Sequence, residues 1–308
     1  MRMSTIRQAR MQKNRNRIRM ETSEKVVCLI SEITAGILLL LALLPIMNLV
    51  STAFSRGSAQ VAGRVYIWPV GFQLEGIKTI LNGTSFFSSL LNSVFVTACG
   101  VIVSMTVTVL FAYPMSKTQL KGRKFFTLLC IICMVFSGGI IPTYIVIKTL
   151  GLINNYLSII LPMAMSIFNM LIIKSYFEGL PEEVMESAEI DGAGDLKALI
   201  SIVVPMSTPV LATICLLYAI HYWNGYFNVI LYITNSSMLT LQVFIRNLIA
   251  DTATVTDQLE RSPETLGLVS PGVVVAGVTT LGVVPIVAIY PFVQRFMVKG
   301  ITVGSVKG

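Results

Sequence analysis

A chain of 308 residues with 54% hydrophobic side chains, 12% charged side chains and a mean hydropathy of +0.77 is too apolar for a water-soluble domain. Its net charge of +8 reads as membrane topology rather than nucleic-acid binding, because no soluble domain is present to carry a basic face.

Residues 1–25 are a polar, basic tail with Arg2, Arg7, Arg10, Lys13, Arg15, Arg17, Arg19 and Lys25, placed in the cytoplasm against lipid headgroups. Residues 26–54 follow as a first transmembrane helix, apolar from Ile33 to Phe54. A small-residue site near Ala53 imitates a secretory signal, but the run is too long and its leader too extended, so it reads as an uncleaved helix. Residues 55–85, with turn formers at Gly57, Pro69 and Gly83, are an extracytoplasmic segment.

Residues 86–296 read as a core of five further spans: Phe86 to Tyr113, Phe125 to Ile147, Tyr156 to Ile173, Pro209 to Ile233 and Gly272 to Phe292. Lys117, Lys121, Arg123 and Lys124 hold the loop after the first of these inside. The outward loops, including 235–271, carry fewer basic residues, and both termini fall inside, the second as a tail over 297–308. Gly100, Ser104, Thr108 and Ala112 recur every fourth residue and form a stripe of small side chains, most simply a packing face. Pro45, Pro142, Pro162 and Pro285 are expected to interrupt their spans. Cys130 and Cys133 lie in an apolar helix with no second ligand pair, so they read as packing and no metal site is expected.

Seven of the fifteen acidic residues crowd into one cytoplasmic stretch, the loop over 178–208: Glu178, Glu182, Glu183, Glu186, Glu189, Asp191 and Asp195. Pro181 suits a helix start, and Leu180, Val184 and Ala188 fall on one face of that helix with the carboxylates on the other. Gly192-Ala193-Gly194 predicts a sharp turn, after which Asp195 caps a second helix with Leu196, Leu199, Ile200 and Val203 on one face until Pro205 ends it. Spacing alone leaves two readings open, a thin elbow that enters a groove on a partner or a solvated acidic loop.

The order Glu186-Ser187-Ala188, three residues, Gly192, nine residues, Ile202, one residue, Val204-Pro205 resembles the coupling loop of permease subunits of bacterial ATP-binding-cassette importers, with Ser187 and Val204 as departures from the family's alanine and leucine. Glu189-Ile-Asp-Gly-Ala193, Trp223-Asn224 and the ending from Tyr290 to Gly308 are similar to the carbohydrate, maltose-permease-type branch. The resemblance covers about Phe86 to the end.

It implies an all-α integral membrane protein with six transmembrane helices, a type 1 importer core and cytoplasmic coupling helices. By that resemblance Glu186, Ser187, Ala188, Asp191, Gly192, Ala193 and Pro205 meet the ATPase, and the tail residues Gly304, Ser305, Val306, Lys307 and Gly308 enter the ATPase dimer interface. The implied partners are a second homologous permease subunit, two cytoplasmic ATPase subunits, an extracytoplasmic sugar-binding protein and membrane lipid. ATP and Mg²⁺ would be held by the partner ATPases, with no cofactor on this chain.

The fifth span carries Tyr218, Tyr222, Trp223, Asn224 and Tyr226, candidates for a substrate path because aromatic faces and amides bind sugars. A packed aromatic face is the favoured alternative, since in related heterodimers the better-defined sugar site belongs to the other subunit. His221 alone reads as a packed or hydrogen-bonded histidine. The chain has no G-x-x-x-x-G-K-[ST] loop, so ATP hydrolysis is expected on another chain. Two rivals stand: a permease for another solute class, and an ion-coupled carrier. The latter would bury ionisable groups in mid-span, whereas Glu32, Lys148 and Lys174 fall near span ends.

Overall fold

A computed structural model describes residues 22–83, 85–136, 138–190, 192–250 and 269–304 of the chain. Among the described residues all regular structure is helical. The first long helix, α1 (Thr22–Ala53), is exposed over most of its length and packs against the closing helix α15 (Pro271–Gly304). Its C-terminal end is clasped by the segment that follows, which holds α2 (Gly57–Val61) and α3 (Glu75–Gly83). Asn48 donates to the carbonyls of Val65 (3.1 Å) and Tyr66 (2.9 Å), Ser51 donates to that of Ile67, and Phe54 stacks on Phe72 with centroids 5.7 Å apart.

The central helix is α4 (Phe86–Ser116). It is followed by α5 (Arg123–Val135), α6 (Ile140–Thr149), the short α7 (Leu157–Ile160) with a 3₁₀ turn over Leu161–Met163, and α8 (Ile167–Glu178). Next come α9 (Glu182–Ile190), α10 (Asp195–Ala198), a π turn over Leu199–Val203, and α11 (Val204–Met206). The chain then re-enters the bundle as α12 (Thr208–Asn224) and α13 (Phe227–Tyr232), and α14 (Leu241–Ala250) precedes α15. The helix α4 packs along α12 and α8, and α15 packs on α12, α3 and α14. Two apolar clusters result. The larger is built around Val96, Met170, Ile173, Ile214 and Tyr218, the smaller around Ile80, Trp223, Leu241 and Val278.

Among the described residues three helices are long and apolar enough to cross a membrane unaided, Ser23–Ala53, Phe86–Ser116 and Pro271–Ala288. Three bent helix pairs raise the number to as many as six. The spans holding Pro142 and Pro162 are broken, as expected, but those holding Pro45 and Pro285 are not. Pro45 and Pro285 lie inside α1 and α15, which continue through them. Pro142 stands in the first turn of α6 and Pro162 in the 3₁₀ turn. The α5–α6 break falls instead beside Gly139, whose φ of 84° favours a residue without a Cβ. A second bend, of 50°, precedes α8, where Ser166 caps the helix by accepting from the Asn169 N–H. The closing helix also runs past the expected end at Phe292, because the lone Gly300 is a weak stop.

Candidate functional site

The helix α8 ends at Glu178 with Gly179 as its C-cap, and Pro181 leads directly into α9. Ala188 is buried, Leu180 and Val184 are half-buried, and Glu186 and Ser187 face outward. Gly192 has φ +73°, and the Ala193 N–H donates to the Ala188 carbonyl at 2.9 Å. That bond spans the six residues of a Schellman closure with glycine at the left-handed position. Asp191 lies outside the described residues.

The second arm of the elbow departs from expectation in three ways. Gly194 is the residue before the helix, and Asp195 begins it without a side-chain cap bond, so the carboxylate acts through the positive end of the helix dipole. Pro205 lies within α11, and the helix stops one residue later at Met206. Pro205 has no N–H to return to the Ser201 carbonyl, and the chain takes up a wider π turn immediately before it. In a π turn residues four apart come closer to alignment, so Leu199 and Val203 are buried together while Leu196 (61% exposed) and Ile200 (60%) turn outward. With Ile190, 86% exposed, they give the elbow an apolar tip beside the carboxylates. The run Asp195–Met206 meets α12 at 86° and therefore lies across the end of the span.

A cluster of charges supports this elbow from within. Glu178 accepts from Lys174 at 2.7 Å and pairs with Arg123, while the Arg123 Nε–H donates to the Met115 carbonyl at 3.0 Å. One arginine at the start of α5 thus joins the C-terminal ends of α4 and α8, four residues before α9 begins. A cavity of ≈ 420 Å³ opens beside it, lined in part by Lys117, Arg123, Phe177, Glu178 and Glu186.

The aromatic residues of the fifth span separate into two groups. Tyr218 and Tyr222 are buried, and their hydroxyls are engaged by the small-residue stripe: Tyr218 with Thr108 (2.7 Å) and the Ser166 N–H (2.9 Å), Tyr222 with Ser104 (2.8 Å) and the Ile160 carbonyl (3.2 Å). Trp223 is buried in the smaller cluster. These three therefore do not line an open path in this structure; they hold α12 against its neighbours. Asn224 and Tyr226 are exposed, as is His221. Tyr226 leaves the stripe because α12 ends at Asn224. Sequence reasoning missed Arg246, which stands over the Tyr226 ring at 5.7 Å. It also missed Asn154, which accepts from the backbone N–H groups of Thr234 (2.7 Å) and Asn235 (3.1 Å). Asn154 itself sits at a φ of 59°. Of the tail contacts, Gly304 ends α15, and residues 305–308 lie outside the described residues.

Residues 36–303 match the model of the binding-protein-dependent transport system inner membrane component. The chain belongs to that family. The resemblance to this family is thereby borne out over residues 36–303. Among curated relatives, this permease is 37% identical over 279 residues to the polygalacturonan/rhamnogalacturonan transport system permease protein YtcP of Bacillus subtilis (strain 168), covering 89% of this chain and 96% of that one. It is 38% identical over 272 residues to protein LplC of the same organism, covering 87% and 90%. Among solved structures, it superposes on a bacterial transporter involved in import of the acidic polysaccharide alginate with a TM-score of 0.83 and 31% identity, covering 90% of this chain and 98% of that one.

Proposed function

We propose that this permease is one half of a heterodimeric pore that moves oligosaccharides inward across a bacterial cytoplasmic membrane, driven by ATP hydrolysis on two partner ATPase subunits. The observation that carries the reading is the glycine elbow at Gly192, closed by the Ala193–Ala188 bond and tipped by exposed Ile190, Leu196 and Ile200. A solvated loop has no need of large apolar side chains at its tip, whereas a docking surface does. The family match supports the pore, and the polygalacturonan and rhamnogalacturonan for which YtcP is named support the solute class.

The spans are six, with the bent pairs α5–α6 and α7–α8 each counting as one and α12 continued by α13 as the fifth, and both termini lie in the cytoplasm. An extracytoplasmic binding protein delivers the sugar. ATP and Mg²⁺ belong to the ATPases, and this chain holds neither. Glu186, Ser187, Ala188, Asp191, Gly192, Ala193 and Pro205 meet a groove of the ATPase, and the tail from Gly304 to Gly308 enters between the two ATPases. When the ATPases close on nucleotide they pull the elbow, and the pull reaches α8 through Glu178 and α12 through the bend at Ser207.

Assembly of this chain with its partner permease and ATPases in proteoliposomes tests the reading. ATP and binding protein together should drive oligosaccharide uptake that persists after proton and sodium gradients are collapsed. Uptake that follows an ion gradient without ATP would make the chain a secondary carrier, and ATP-driven uptake confined to non-sugar solutes would move it to another solute class.

A further inference from the structure

The fifth span breaks where its exposed polar residues gather. Gly225 is extended (φ −67°, ψ 110°), Tyr226 follows outside the helix, and helix resumes at Phe227. A Cβ at residue 225 would stand 3.3 Å from the His221 carbonyl and 3.4 Å from that of Tyr222, so glycine lets the turn stay tight. Non-helical backbone at membrane depth is tolerated where it is buried in protein or faces water. Next to this break His221, Asn224 and Tyr226 are all exposed. Lipid would leave the imidazole and amide without partners, so this side of α12 looks toward a polar passage.

Arg246, exposed midway along α14, places its guanidinium carbon 5.7 Å from the centre of the Tyr226 ring. Among the described residues no carboxylate lies within ion-pair distance of it. A guanidinium is charged at any working pH, and a contact with a ring face leaves its edge donors free for a planar anion. The site thus combines an aromatic ring, a fixed positive charge and a nearby amide at a break in the helix.

We infer that Tyr226 and Arg246 form a subsite at the outer part of the passage that takes a uronic-acid residue of the incoming oligosaccharide. The sugar ring packs on the free part of Tyr226 and its carboxylate takes two N–H bonds from Arg246, with Asn224 left for hydroxyls. A neutral hexose in the same place leaves the arginine fork without its anion, and an esterified uronate does the same. Arg246 therefore sets a preference for acidic over neutral chains. The inference rests on the oligosaccharide reading and narrows it.

The test uses the complete transporter in proteoliposomes with its binding protein. Initial ATP-driven uptake of tetragalacturonate and of its methyl ester is measured for the wild type and for R246Q, R246K, Y226L and Y226F. The binding protein is the same throughout, so the ratio of variant to wild type for each sugar cancels its own preference. R246Q should reduce uptake of the free acid about tenfold, through a higher KM, while changing uptake of the ester less than about twofold. R246K should fall between, Y226L should lower uptake of both sugars, and Y226F should retain both. Equal loss of both sugars in R246Q, or no change with the free acid, overturns the subsite and leaves the importer reading intact. Wild-type transporter that takes up no oligosaccharide with ATP overturns the importer reading and the subsite with it.

Discussion

The Tyr222 hydroxyl lies 2.8 Å from Ser104 Oγ, across the contact between α12 and α4. One helical turn away, Tyr218 makes the same contact with Thr108 at 2.7 Å. The four-residue stripe on α4 is thus matched by a four-residue stripe on α12, small residue to large. Gly100 completes the fit, since a Cβ there would come within 2.7 Å of the Tyr222 ring.

G100A should therefore act as overpacking. The ring cannot swing aside while its hydroxyl is held by Ser104 and Ile160, so a loss of about 1–3 kcal/mol is expected. Y222F, which removes the hydroxyl but keeps the ring, should cost about 0.5–1.5 kcal/mol. Thermal unfolding of the purified complex ranks the two, and a G100A variant as stable as wild type would show that the helices are not in this contact.

The Lys174–Glu178–Arg123 cluster gives a second expectation. Lys174 is 12% exposed and Glu178 30%, so the pair lies between a surface ion pair and a fully buried one. E178A leaves two cations facing each other without their shared carboxylate, and should cost on the order of 1–2 kcal/mol. The double change K174M/E178M, which removes the buried ammonium along with its partner, should recover most of that loss. Denaturation midpoints of the two variants check this, and equal loss in both would assign the effect to packing rather than charge.

Local features were legible in the chain and non-local ones were not. The elbow at Gly192 could be read because positive φ is a property of one residue and its immediate neighbours. The outward face of the second arm could not, since a uniform α-helix groups Leu196 and Ile200 with Leu199 and Val203, and the π turn before Pro205 separates them. Tyr226 looked like the third member of a stripe until Gly225 ended the helix ahead of it. Arg246 meets Tyr226 only because α14 folds back over the end of the fifth span, a contact no periodicity encodes.

Topology is open to direct labelling. Single cysteines near Asp257 should react with an impermeant thiol reagent in intact cells, and cysteines near Asp191 should react only after the membrane is opened. The basic residues around Arg123 and in the N-terminal tail set this direction. The reverse pattern would invert every span.

The coupling elbow carries the last prediction, and charge, apolar contact and backbone each contribute separately to it. G192V forces a β-branched residue to φ +73°, a strain of roughly 1–3 kcal/mol. No atom lies within 4 Å of a Cβ built there, so the strain comes from the backbone alone. G192N should then be tolerated, because asparagine adopts the left-handed region more readily. I200D puts a charge on the exposed apolar tip and should leave the bundle folded while weakening the docked contact. E186K replaces an exposed carboxylate with an ammonium and should repel a basic groove. All four variants should reach the membrane. Co-purification of the ATPase and sugar-stimulated ATP turnover should fall together in G192V, I200D and E186K and stay near wild type in G192N. Wild-type values for both quantities in G192V, I200D and E186K alike would remove this loop as the coupling site, while equal failure of G192N and G192V would place the requirement in the space around the turn rather than in its φ.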